Sequence, residues 1–160
     1  MPPKKKIKVP KKYTAGLSKE DKKKRERQVR ARTKASREGK PNYSKMAGDS
    51  TAKTKKSQYT RKAEKSGLKK KIQDNMNGKG KDAYLKAVAK STGYPLPVLR
   101  QVHARGARAW ATGRRPGASQ AAWSRGRVLS FVQGGKTTKT ADEDLYKKAR
   151  ETMRKRKKKG

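Results

Sequence analysis

The sequence predicts an all-α protein: a small four-helix C-terminal domain, preceded by a long basic, largely extended N-terminal arm that contains one solitary helix. Three observations predict it. Apolar residues recur at helical spacing in several stretches beyond Asp82. Capping and stop signals bracket those stretches. Charge dominates the rest: 49 Lys+Arg stand against 12 Asp+Glu, a formal net charge of +37 in 160 residues, with 29% hydrophobic residues. Ordering a backbone costs roughly 1–2 kcal/mol per residue, and so little apolar area cannot offset it. Most of the chain is therefore expected to fold only against a polyanion, whether nucleic acid, an acidic protein surface, or both.

Residues 1–17 read as a basic extended arm of Pro and Lys without periodicity. Within it, Pro3-Lys4-Lys5-Lys6-Ile7-Lys8-Val9 has the form of a short basic nuclear-import signal, and equally that of a solvated cationic tail. Residues 18–38 read as the solitary charged helix. Ser18-Lys19-Glu20-Asp21 is a capping box preceded by Leu17, and Gly39 followed by Pro41 is the matching stop. Glu20–Lys24, Asp21–Arg25 and Glu26–Arg30 are acid-before-base pairs at i,i+4, each contributing about 0.2–0.5 kcal/mol. Val29, Ala31 and Ala35 are its only apolar residues, so this helix should be nascent until docked. Residues 39–81 read as an extended basic linker with widely spaced apolar residues. Tyr13, Leu17, Tyr43 and Tyr59 are the candidate pegs that would seat an extended chain in pockets on a larger partner. A plain linker with incidental aromatics is the other reading.

Residues 82–153 read as the helical domain. Asp82 to Ala89 is a short amphipathic helix stopped by Gly93, and Tyr94-Pro95-Leu96-Pro97 leads into a helical hairpin. Leu99, Val102, His103, Gly106, Ala107 and Trp110 fall on one helix face, and Gly113 ends that helix. Arg114-Arg115-Pro116-Gly117 is turn chemistry, and Ser119 can cap a second helix carrying Trp123, Val128, Leu129, Phe131 and Val132. Leu99, Val102, Trp110, Trp123, Leu129 and Phe131 are the expected structural anchors. Thr140-Ala141-Asp142-Glu143 starts the last helix, where Asp142, Glu143 and Asp144 suit the N-terminal dipole. Residues 154–160 read as a basic tail.

No catalytic constellation emerges. His103 is the only histidine and there is no cysteine, so a metal site lacks companions and a packed structural role is expected for it. The three acids at 142–144 are accounted for by the helix start. No nucleophile elbow or phosphate-cradling glycine loop is present. No stretch is apolar enough for a membrane span or a signal-peptide core. The expectation is a non-enzyme without cofactor, metal or small-molecule substrate. Arg105, Arg108, Arg114, Arg115, Arg125 and Arg127 around the hairpin turn, with Lys22, Lys23, Lys24 and Arg25, are the candidate anion- or partner-binding residues. Helix–turn–helix readout of a DNA groove is disfavoured, because the second helix carries large apolar residues and lacks Asn/Gln at its start. Contacts to phosphate or carboxylate are expected instead.

Ala109-Trp110, Thr112-Gly113-Arg114-Arg115-Pro116-Gly117, Trp123, Arg127-Val128 and Ser130-Phe131 resemble a small uncharacterised domain. That domain recurs in large DNA viruses of algae and in cyanophages. There the turn usually holds a histidine where this chain has Arg114. Gly16-Leu17-Ser18-Lys19-Glu20-Asp21-Lys22-Lys23-Lys24, Ser36-Arg37, Gly39-Lys40-Pro41 and Lys55-Lys56-Ser57-Gln58-Tyr59-Thr60 resemble a basic segment of small giant-virus proteins of the mimivirus and chlorovirus type. The resemblance implies a large double-stranded DNA virus as the setting. Two functions are then expected. One is a minor capsid component of the virion that bridges neighbouring subunits inside the shell through its arms. Its partners would be the major capsid protein or other minor capsid proteins, with genomic DNA as a further partner. The alternative is a non-sequence-specific nucleic-acid-binding protein that neutralises packaged genome, or a ribosomal-type basic protein. Synthesis would be in the host cell, nuclear or cytoplasmic.

Overall fold

The computed structural model describes residues 6–52, 54 and 56–159. Pro3, Lys4 and Lys5 of the import-like stretch, and Lys55 of the Lys55–Thr60 motif, lie outside the described residues. Among the described residues the protein is all-helical, as composition and periodicity predict. It has seven α-helices, two short 3-10 turns and no strand. They are α1 (Lys19–Arg37), α2 (Gln58–Lys65), α3 (Leu68–Asn75), α4 (Lys81–Thr92), α5 (Leu96–Trp110), α6 (Gln120–Val132) and α7 (Glu143–Lys159). None is long and apolar enough to cross a membrane.

The chain divides into two compact units, and the division departs from the expected one. The first falls within Met1–Lys55 and Ala107–Gln120, the second within Lys56–Gly106 and Ala121–Gly160. The expected hairpin therefore does not stay together as one core, because its turn belongs with the N-terminal segment. Nor is α1 solitary. Arg25, Val29 and Arg32 of that helix are buried, and the reason is ionic rather than apolar, as described below.

Residues 39–81 do not form a purely extended linker. Ser57 caps α2 by accepting the Thr60 N–H at 3.2 Å, and Ala63 of α2 and Ile72 of α3 are buried in the core of the second unit. Asn75 ties α3 to α4 by donating to Ser91 Oγ at 2.9 Å. Ala63 and Ile72, with Leu68 and Met76 packed beside them, suffice here because an existing apolar surface receives them. The segment beyond Arg154 is likewise not a separate tail, since α7 continues to Lys159. Lys and Arg are good helix formers, and Glu151 pairs with Lys155 across one turn at 3.3 Å.

The second unit has the apolar core. Leu85, Val88, Val98, Leu99, Val102, Val128, Phe131, Leu145 and Ala149 are buried there. Phe131 sits edge-to-face with Tyr94 at 5.6 Å and with Tyr146 at 5.7 Å, so one ring joins α6 to α7 and to the α4–α5 connection. Gly106 permits the close approach of α5 to α6: a Cβ there would lie 3.0 Å from Ser124 Cα. Of the expected anchors, Leu99, Val102, Leu129 and Phe131 are in this core. Trp110 and Trp123 are not members of it and are half-buried. Helical spacing identified one face of α5 correctly but could not show that its last turn serves another unit.

Phe131→Ala is expected to destabilise the second unit by about 3–5 kcal/mol, read as a lower urea midpoint with an unchanged slope.

Candidate polyanion interface and its buried charge clusters

In the first unit, α1 delivers Arg25 and the turn after α5 delivers Arg114 to a single carboxylate, Asp49, and Arg32 of α1 lies near enough to feel its charge. Arg25 and Arg114 are both fully buried. Arg25 donates from Nη1 to Asp49 Oδ1 at 2.7 Å and to the Ala47 carbonyl at 2.8 Å, and from Nη2 to the Arg114 carbonyl at 3.0 Å. Arg114 donates from Nη2 to Asp49 Oδ2 and from Nη1 to the Trp110 carbonyl at 2.9 Å. The Met46 N–H donates to Oδ2 at 2.8 Å and the Gly117 N–H to Oδ1 at 3.2 Å. Gly117 has φ +81°, a left-handed conformation that glycine adopts at least cost and that presents its N–H to the carboxylate. Each Asp49 oxygen thus accepts one guanidinium and one backbone donor. Arg32 completes the group by donating to the Ser44 carbonyl and, from Nη2, to Ser44 Oγ at 2.9 Å and the Lys45 carbonyl at 3.0 Å.

Two guanidinium groups share one carboxylate with a third, Arg32, nearby, and the Nε atoms of Arg25 and Arg114 are buried without an acceptor among the described residues. Burial pushes the Arg114 and Arg32 guanidinium groups below their usual values, with Asp49 opposing it in both cases. For Asp49, burial favours the neutral acid. The Met46 and Gly117 N–H groups and the two arginines outweigh it, so its carboxyl titrates below the ordinary 3.8.

The second unit repeats the device with different residues. Asp142, fully buried, accepts from Arg127 Nε at 2.9 Å and Nη2 at 2.7 Å, and from Arg105 Nη1 at 3.3 Å. Arg105 also forms a two-pronged pair with Asp144 at 2.8 and 2.7 Å. That pair lowers the Asp144 carboxyl to about 2. Asp142 therefore does more than start α7. It holds that start against α5 and α6. Among the described residues no group of three or more His, Cys, Asp or Glu side chains is arranged to hold a metal ion.

Several sequence-derived assignments need correction. Arg25, Arg114, Arg105 and Arg127, expected to face a partner, are engaged within their own units. Arg125 lies over the Tyr84 ring at 4.7 Å, a cation–π contact in the second unit. Arg108 is exposed and Arg115 half-exposed. Lys22, Lys23 and Lys24 are exposed on α1, with Lys24 3.5 Å from Glu20. The pegs are also mostly used at home. Tyr13 packs against Gly113 and Leu17 against Gly48. Tyr59 accepts the Lys136 N–H at its hydroxyl at 3.0 Å and the Gln133 side-chain N–H at its carbonyl at 2.8 Å. Tyr43 alone of the four is exposed, at 47%. His103 is half-buried on α5, and burial, Lys81 and Arg125 lower its pKa.

Sequence reasoning missed Asp49, Arg32 and the depression beside α2. The lone acid in a Lys/Ser/Gly stretch was the only local signal for Asp49. Gln58, Arg61, Lys62 and Lys65 recur at i, i+3, i+4 and i+7, and with Ser66 they line an open depression of about 500 Å³. A shallow, cation-lined surface of this kind suits an extended anionic polymer better than an enclosed small molecule.

Two outcomes follow from the clusters. Asp49 has a folded pKa below its unfolded one, so its contribution is complete above about pH 4 and is lost as pH falls through the depressed value. Acid unfolding of the first unit, followed by Trp110 fluorescence in a Trp123→Phe background, should start below pH 4 and be altered by Asp49→Asn; an identical profile in that variant would contradict the assignment. Asp142→Ala, which strands Arg127, is expected to destabilise the second unit by about 3 kcal/mol in urea.

No curated protein and no solved structure matches this chain. A protein-family model does, over residues 10–150, a span that takes in both buried carboxylates and every arginine they hold. The chain belongs to that family, described as a family of unknown function (DUF5824).

Proposed function

We propose that the protein is a non-enzymatic, minor structural component of a large double-stranded DNA virus particle, lying on the inner side of the shell and joining capsid subunits to one another and to the packaged genome. The observation that carries this reading is the distribution of charge. The buried carboxylates are spent on arginines inside each unit, and most of the net charge of +37 is left to the surface. A surface of that sign attracts acidic capsid faces and phosphate alike. The viral setting rests on the Trp110–Phe131 motif and the basic Gly16–Pro41 segment, which resemble proteins of such viruses. The mode of attachment differs from threaded arms with pegs, because Tyr13, Leu17 and Tyr59 are seated within their own units. Attachment through folded, cationic faces replaces it.

The second reading is a protein that only coats and neutralises nucleic acid without sequence preference. Its specific support is the end of α7, where Arg154 to Lys159 form an exposed, uninterrupted basic helix end. Affinity would then fall with salt at about −0.9 per phosphate neutralised on a log–log plot.

Fractionation of purified particles separates the two. Particles emptied of genome are washed at about 1 M salt, where screening confines charge attraction to ~3 Å. Retention on DNA-free shells is expected of a capsid component. Complete release with the genome would leave only the coating role.

A further inference from the structure

We propose that Tyr43 and Trp110 in the first unit form a stacking shelf for an unpaired base of single-stranded nucleic acid. The proposal rests on the polyanion-binding reading above and narrows it to one state of the polymer.

Tyr43 is the one large apolar side chain exposed among the described residues. It is also held in place. Its ring lies 11° from parallel to the Trp110 ring, with centroids 6.5 Å apart, an offset stack. Trp110 is pinned in turn. Its Nε1–H donates to the Ala118 carbonyl at 2.8 Å, and the Arg114 guanidinium carbon lies 3.5 Å from its ring centroid. Next to Tyr43, the Ser44 N–H donates to Asn42 Oδ1 at 2.9 Å, while buried Arg32 grips Ser44 and Lys45. The ion cluster around Asp49 therefore has an outward consequence: it fixes the backbone and the tryptophan that present Tyr43 to solvent.

The surroundings select the occupant. Lys40 and Lys45 flank Tyr43 in sequence and Arg108 precedes Trp110; all three are exposed. A held aromatic face with exposed cations nearby is the arrangement that binds a nucleic-acid strand, the ring taking a base and the cations the phosphates. One exposed ring is too little apolar area for a protein interface. A duplex already buries its base faces, so the shelf discriminates in favour of single strands.

The test uses the full chain carrying Trp123→Phe, which leaves Trp110 as the only tryptophan reporter. It is titrated at fixed salt with an oligothymidylate of about 16 nucleotides, with a duplex of equal length, and with inorganic polyphosphate. The oligothymidylate should quench Trp110 and the polyphosphate should not. Tyr43→Ser should weaken single-strand affinity about tenfold, leave duplex affinity and the salt slope unchanged, and be rescued by Tyr43→Trp. Equal effects of Tyr43→Ser on single strand and duplex, or none on either, would overturn the shelf while leaving polyanion binding intact. Absence of salt-dependent binding to all three probes would overturn both.

Discussion

One buried carboxylate shared between arginines from distant parts of the chain is the interaction on which each unit depends. In the first unit Asp49 joins α1 to the turn after α5, linking residues 24 and 65 positions away in sequence. In the second, Asp142 joins α5, α6 and the start of α7. A chain this poor in apolar residues has few other ways to make long-range contacts. Charge is what it has in excess, and a carboxylate with two guanidinium partners converts part of that excess into cohesion. The desolvation penalty of such groups reaches several kcal/mol per ion, so the gain depends on saturating every lone pair. Asp49 meets that condition with two guanidinium and two backbone donors.

The two units answer the shortage of apolar area differently. The second has a conventional core in which α4, α5, α6 and α7 share Leu85, Leu99, Phe131 and Leu145. The first buries only a few apolar side chains, such as Val29, Met46 and Ala111, and relies on Arg25, Arg32 and Arg114 where another protein would place leucine. Such a unit is specific in geometry and sensitive to the loss of any one partner. Its surface stays strongly positive, because its few exposed acids, such as Glu20 and Glu38, are far outnumbered by the lysines outside. That link between how the unit folds and what its surface attracts is what the proposed structural role rests on.

Much of the local structure was legible in the sequence. Ser18 caps α1 by accepting the Asp21 N–H, and Gly93 closes α4 with φ +79°, both from signals that lie within a few residues of the helix end. The apolar face of α5 was legible for the same reason, since Leu99 and Val102 repeat at helical spacing. What stayed hidden was non-local. Arg114 beside Arg115 in a Pro-Gly turn looks like a solvated cation, and only Asp49, far away in sequence, makes it interior. Arg25 sits among Lys22, Lys23 and Lys24 and shares their composition, yet it alone of the four is buried. Tyr13 and Leu17 look like pegs for a foreign partner because the glycines that receive them, Gly113 and Gly48, carry no hydrophobic signal of their own. α2 and α3 are too short and too polar for periodicity to reveal, and they exist through the core that covers Ala63 and Ile72.

The most direct test of the central claim is a double-mutant cycle on Arg114→Met and Asp49→Asn, with urea unfolding of the first unit as the readout. If the carboxylate organises the unit, Asp49→Asn strands buried Arg114, Arg114→Met removes one of the two guanidinium partners of Asp49, and the double variant recovers part of the loss. The coupling between the two positions should then be on the order of 1–3 kcal/mol. Strictly additive losses would contradict the account, because they would mean that the two side chains stabilise the unit independently of each other.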